Sequence, residues 1–130
     1  MTLPITLCAA AAAAIITIWL GIRCGRMRAV TKTIHGDDSG GPLSRRMRAQ
    51  LNFVENTPFV LMLVAGIELA GRGGTWLAVV AGVYMLGRIA HAIGMDAEGS
   101  HKARMIGTLI TMLTLLGLAI AAVLIVLRVI

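Results

Sequence analysis

Three groups of side chains in this sequence have types and spacings that suit chemistry. The first lies in "RAQLNFVENTP", residues 48 to 58, and the residues just before it. On a helix turning 100° per residue, Arg45, Arg48, Asn52 and Glu55 fall within about an 80° arc and make one polar stripe. The second lies in "YMLGRIAHAIGM", where Tyr84, Arg88, His91 and Met95 fall within about 60° by the same arithmetic. The third is Arg104, in "KARMIGTLIT" at the opening of a long apolar run. Cationic N–H donors dominate all three, with Glu55 as the one carboxylate among them. Such a set can hold a small anion or stabilise negative charge on a reacting atom. Two plainer roles stay open: a Glu55–Arg88 salt bridge that fixes helix register, and an Arg104 that anchors its helix at lipid headgroups.

The elements that carry these residues are membrane helices. The chain has 130 residues, of which 58% are apolar and 14% charged; its mean hydropathy is +0.86. That is too apolar for a soluble domain and long enough for one membrane domain. Leu3 to Ile22 carries no charge, and its length as a helix, about 30 Å, crosses the hydrocarbon core. Residues 23 to 42 turn polar around "HGDDSGG" and read as a loop. Residues 43 to 70 form one helix, polar in its first half, that continues through Pro58 because neighbouring membrane helices re-satisfy the freed carbonyl. "GRGG" makes a short turn before a third helix over 75–95, and "DAEGSHK" leads into a fourth over 103–128. The expected architecture is therefore a single all-α domain, a four-helix membrane bundle with spans at about 3–23, 43–70, 75–95 and 103–128.

Basic residues set the orientation. Arg23, Arg26, Arg28, Lys32, Arg45, Arg46 and Arg48 cluster around the first loop, and Lys102 and Arg104 lie in the third, against Arg72 and Arg128 elsewhere. The positive-inside rule then puts both termini outside the cytoplasm and the polar ends of the second and third spans at its cytoplasmic face. The first apolar run has no basic residue before it and several after it, which marks a retained helix and not a cleaved leader. A net charge of +6 placed at span ends is a topology signature, which argues against a nucleic-acid partner. Cys8 and Cys24 have no metal or disulfide spacing, and no second histidine lies at the depth of His91, so no metal is expected. Trp19 and Trp76 read as anchors at the outer interface. Gly21, Gly25, Gly82 and Gly87 allow close helix contact.

A charge at membrane depth costs at least about 2.5 to 3.5 kcal/mol unless it faces protein or water, so Glu55 and Arg88 are expected to face each other. Lys32, Arg48, Asn52, His91 and Arg104 remain as a surplus of donors at the same end. The missing partner is an anion.

The second span resembles the second-helix signature of the MAPEG superfamily, the membrane-associated proteins in eicosanoid and glutathione metabolism, in which Arg-Ala-Gln-x-Asn-x-x-Glu-x-x-Pro recurs. "GRIAHAIGM" is similar to the family's third-helix motif, and "KARMIGTLIT" to the segment bearing its catalytic arginine. The similarity runs from about Lys32 to the end of the chain. It implies a homotrimer with glutathione, as co-substrate, bound between subunits at their cytoplasmic halves. Arg48, Asn52 and Glu55 would hold the tripeptide, with Glu55 on its α-ammonium. Lys32 would meet a carboxylate, Arg88 would brace the site and His91 would contact the ligand. Gln50, about 160° from Arg48 on the wheel, would serve a neighbouring subunit or packing. Arg104 would favour the thiolate, which is the nucleophile, for attack on a lipophilic electrophile arriving from the bilayer. The alternative is a non-catalytic protein that binds lipid headgroups or a partner in the same cleft. Met95 and Asn56 stand where many relatives carry tyrosine, so two hydroxyl donors are absent.

Overall fold

A computed structural model describes residues 1–130 as four helices and no strand. They are α1 (Pro4–Thr31), α2 (Pro42–Leu69), α3 (Thr75–Gly94) and α4 (Lys102–Val126). By length and composition α1, α3 and α4 are apolar enough to cross a membrane. α2 has the length, 28 residues, but its polar first half lowers its hydropathy. Pro58 sits inside α2 without ending it. α1 runs on well past the expected span, because "RCGRMRAVT" holds no proline and its one glycine is outweighed by the helix-favouring Arg, Met and Ala around it. It stops where Lys32 turns into the left-handed region at φ 53°.

The four helices form a ring in which α1 touches α2 and α3, α4 touches α2 and α3, and α2 meets α3 across the middle. α1 and α4 share no contact. The most extensive packing is between α3 and α4. An apolar core built from Ile16, Leu20, Phe53, Val60, Val64, Ile67, Leu77 and Leu118 fills the middle. Many large apolar side chains remain exposed, including Leu7, Ile15, Phe59, Leu86 and Leu116, as expected of a bundle whose outer surface meets lipid.

Each end of the ring is held by one carboxylate that gathers orphan groups. The first N–H groups of a helix have no partner within it. Glu68, at the end of α2, accepts from Ile5 N–H at 3.0 Å and Thr6 N–H at 2.8 Å, and from the Thr6 hydroxyl at 2.7 Å. This caps α1 from 63 residues away. Asp38, in the first loop, does the same for α2 through Leu43 N–H (2.9 Å), Ser44 N–H (2.8 Å) and the Ser44 hydroxyl (2.7 Å). Desolvation raises the Asp38 pKa, but these hydrogen bonds from Ser44 and Leu43 outweigh it and hold the carboxyl at about 2. His101 caps α4 by accepting Ala103 N–H at Nδ1, 3.2 Å away.

At the end where α1 and α3 finish, Asp96 pairs with Arg23 and lies 3.5 Å from Arg46 Nε. Arg23 also donates to the Ala92 carbonyl (3.1 Å), Arg45 to the Asp96 carbonyl (3.2 Å) and Arg46 to the Arg23 carbonyl (3.0 Å). α1, α2 and the end of α3 are thereby laced together. Trp19 stacks its ring 4.8 Å from the Arg23 guanidinium. It is therefore a partner of this cluster and not the outer-interface anchor expected for it.

Candidate functional site

The third-helix motif folds inward. Arg88 is 2% exposed, at the meeting of α2, α3 and α4. Its Nη1 donates to Thr111 Oγ1 at 2.7 Å, and its Nη2 donates to Asn52 Oδ1 and faces His91 Nδ1 at 3.1 Å. Thr111 is held in turn by donating to the Gly107 carbonyl at 2.9 Å. The backbone oxygen of Asn52 accepts from Asn56 Nδ2 at 2.7 Å. Next along the same face, Tyr84 shares a 2.9 Å hydrogen bond with Thr57. The spacing that put Tyr84, Arg88 and His91 on one arc thus yields three buried side chains, while Met95 is only half-buried.

No carboxylate neutralises Arg88. Both ion pairs of the chain end on Asp96. The expected Glu55–Arg88 bridge is absent: Glu55 is exposed, and Arg88 reaches neutral oxygens and a ring nitrogen. The geometric reason is that Asn52, one turn before Glu55 on α2, occupies the contact with α3, leaving Glu55 to point out of the bundle. A buried guanidinium with only dipolar partners keeps its field, which is what a neighbouring anion would feel.

Close packing of α3 on α4 brings Arg104 to this network. A Cβ placed on Gly94 would collide with the backbone nitrogen of Arg104, and one on Gly107 would lie 2.5 Å from His91 Cβ. Glycine at both positions lets the start of α4 lie directly on the His91 turn. Gly87 belongs to the same seam, facing Ile110. Gly25 and Gly82 do not, since nothing lies within 4 Å of a Cβ there.

The structure therefore joins Asn52, Arg88 and His91, with half-buried Arg104 beside them. Lys32, Arg48 and Glu55 are exposed and make no side-chain hydrogen bond or ion pair within the chain. A groove of about 420 Å³ at the start of α2 is lined by Arg48 and Gln50 with Asp37, Ser44, Met47, Leu51 and Val54. It does not reach the Arg88 cluster. Gln50 also accepts from the Cys24 thiol at 3.6 Å, which gives it a packing role against α1.

Sequence reasoning did not single out Thr111 or Asp96. Thr111 carried a signal, as a hydroxyl in an apolar span two turns after Arg104. Asp96 carried one too, as the first acid after α3, in a chain with many arginines and few carboxylates.

Residues 6–124 match the MAPEG family. The chain belongs to the MAPEG family. Comparison with the curated proteins gives no significant match. Membership of MAPEG covers nearly the whole chain, so all four helices and the Arg88 cluster fall within it. It makes the protein an integral membrane protein of glutathione and eicosanoid metabolism.

Proposed function

We propose that this MAPEG protein binds glutathione and transfers its thiolate to lipophilic electrophiles, or uses it to reduce lipophilic peroxides. The observation that carries this reading is the uncompensated positive charge of buried Arg88, linked through Asn52 to the exposed Arg48–Glu55 stripe, on a helix whose following turn at Gly94 packs on the backbone of Arg104. Glutathione has two carboxylates, one ammonium and a thiol. Cations and one carboxylate are what such a ligand needs: Lys32 and Arg48 for its carboxylates, Glu55 for its ammonium, Asn52 and His91 for its amides.

Lys32, Arg48 and Glu55 find no partner inside the chain, and Arg48 and Glu55 project from a helix that packs in a membrane bundle. Charges so placed need cover from protein or ligand. A homotrimer with glutathione in the clefts between subunits supplies both. The cleft then opens on the cytoplasmic side, both termini lie outside, and the apolar substrate arrives from the lipid.

In the reaction, the thiol loses its proton to solvent and the Arg104 guanidinium holds the resulting thiolate by a charge-assisted contact. The sulfur forms a bond to the electrophilic carbon as the leaving group departs, and the thioether loses its attraction to Arg104. Purified protein assayed with glutathione and a chromogenic electrophile is expected to turn over, and Arg104→Ala to lose about 10²–10³-fold in kcat. Absence of glutathione-dependent turnover in the wild type would refute the catalytic reading. A non-catalytic cleft that holds a lipid headgroup draws on one observation, that Asn56 spends its amide on the Asn52 carbonyl. Calorimetric titration separates the two: glutathione binding lost in Glu55→Gln excludes the headgroup.

A further inference from the structure

The contact between Arg88 and His91 settles where the histidine proton sits. A guanidinium has N–H donors and no acceptor. The 3.1 Å contact from Arg88 Nη2 to His91 Nδ1 therefore requires a lone pair on Nδ1. A neutral imidazole carries one proton, which must then be on Nε2; a doubly protonated ring would set N–H against N–H. Histidines in helices commonly bond through Nδ1–H to a backbone carbonyl. Arg88 takes that option away.

Nε2 makes no hydrogen bond within the chain. Arg88 Nε is the sole side-chain nitrogen or oxygen that is both sealed and unpartnered, so His91 Nε2 opens to the surface of the chain even though its residue is 4% exposed. The base of the ring rests on α4 at Gly107, one turn after Arg104. Arg88 has little freedom of its own, since Asn52 on α2 and Thr111 on α4 hold its two terminal nitrogens. Three helices thus fix one proton.

We propose that Arg88 is a positioning residue that acts through His91, locking it as the Nε2–H tautomer so that a neutral N–H donor faces an acceptor atom of the ligand beside Arg104. The identity of that ligand rests on the glutathione reading; the tautomer does not. His91 then contributes direction without charge, while Arg104 contributes charge. The division matters for a thiol ligand, because a donor without a charge can orient an amide or carboxylate oxygen without drawing the sulfur away from Arg104.

The test is nitrogen NMR of histidine-labelled protein in micelles, with His91 assigned by its loss in His91→Gln. The wild type at neutral pH is expected to show His91 as Nε2–H alone, and Arg88→Met to show both tautomers. If Arg88→Met does not fold, Asn52→Ala, which frees one side of the guanidinium, is expected to show partial loss of the preference. An Nδ1–H or charged His91 in the wild type, or a tautomer unchanged in the variants that fold, overturns the proposal. Glutathione titration adds a second readout. Arg88→Met and His91→Phe are each expected to weaken binding about tenfold, and the double variant by about the same factor, because both remove one interaction. A hundredfold loss in the double variant also overturns it. No glutathione binding by the wild type, with the tautomer lock present and lost in Arg88→Met, supports the lock and refutes the glutathione reading.

Discussion

Replacing Gly107 by alanine tests whether close approach of α3 and α4 builds the site. The added Cβ would lie 2.5 Å from the Gly87 carbonyl oxygen, 2.5 Å from His91 Cβ and 2.9 Å from His91 Cα. All three atoms are fixed by the α3 backbone, so no rotamer change relieves them. Restoring ordinary contact needs the helices to part by about 1 Å, and overpacking of this kind costs about 1–3 kcal/mol. Alanine in place of a helical glycine returns up to about 1 kcal/mol, leaving a net loss of about 1–2 kcal/mol in stability. The larger effect falls on the site. Thr111 lies one turn along α4, and its 2.7 Å bond to Arg88 would stretch beyond hydrogen-bonding reach. Misplacement of about 1 Å in a catalytic constellation is worth about 10²-fold, so glutathione-dependent kcat/KM is expected to fall by that factor while the protein still folds. Thermal melting in detergent and a conjugation assay on the same preparation read the two effects. Gly82→Ala, which meets nothing within 4 Å, is the control and is expected to keep wild-type turnover and to melt no lower than the wild type, since it has the helical gain without the clash. Wild-type melting and turnover in Gly107→Ala would refute the reasoning, since the seam would then be loose enough to absorb a methyl group.

Other perturbations have equally definite outcomes. A double-mutant cycle of Glu55→Gln and Arg88→Met on thermal stability is expected to show coupling below about 0.5 kcal/mol, because the two side chains do not meet; coupling above 1 kcal/mol would restore the salt bridge. Asp38 is ionised in the folded loop down to about pH 2, whereas an unfolded aspartate titrates near pH 4, so its cap is complete above about 4 and lost as pH falls toward 2. Proteolysis between α1 and α2 by an acid-active protease is expected to accelerate across that window in the wild type and to be fast throughout it in Asp38→Asn. Asp96→Ala removes both ion pairs of the chain. Because its side chain is 42% exposed, the loss in stability is expected to be about 1 kcal/mol by denaturation in mixed micelles, and a value near zero would mean that the lacing of α1 to α3 is carried by backbone contacts alone.

Much of the fold was legible because apolar runs and their punctuation are local signals. "GRGG" and "DAEGSHK" mark the turns, and the helices start and end close to them. The end of α1 was not legible, since polar composition after Arg23 resembles a loop unless helix propensity is weighed against it. Helical periodicity placed Tyr84, Arg88 and His91 on one face correctly. It could not choose a partner across helices: on the wheel Asn52 and Glu55 differ by about 60°, and only the packing of α2 decides which one meets Arg88. The seam at Gly87, Gly94 and Gly107 was partly hidden for the same reason. A glycine in a membrane helix is common, and distance to the neighbouring helix, which no sequence carries, separates Gly107 from Gly82.

The Glu68 cap on α1 has a consequence for how the chain enters a bilayer. The opening N–H groups of α1 are satisfied by a carboxylate that the ribosome makes more than sixty residues later, at the end of α2. Until α2 has crossed, the leading turn of α1 has only water or headgroups to bond. Once α2 is in place, the pair is a closed hairpin tied at the end where α1 begins. α3 and α4 form a second hairpin through their glycine seam, and Asp96 joins it to the first only after both arginines and the third helix are in place. Assembly by hairpins, joined through Asp96 and the Arg88–Asn52 bond, leaves few bare polar groups in lipid at each stage.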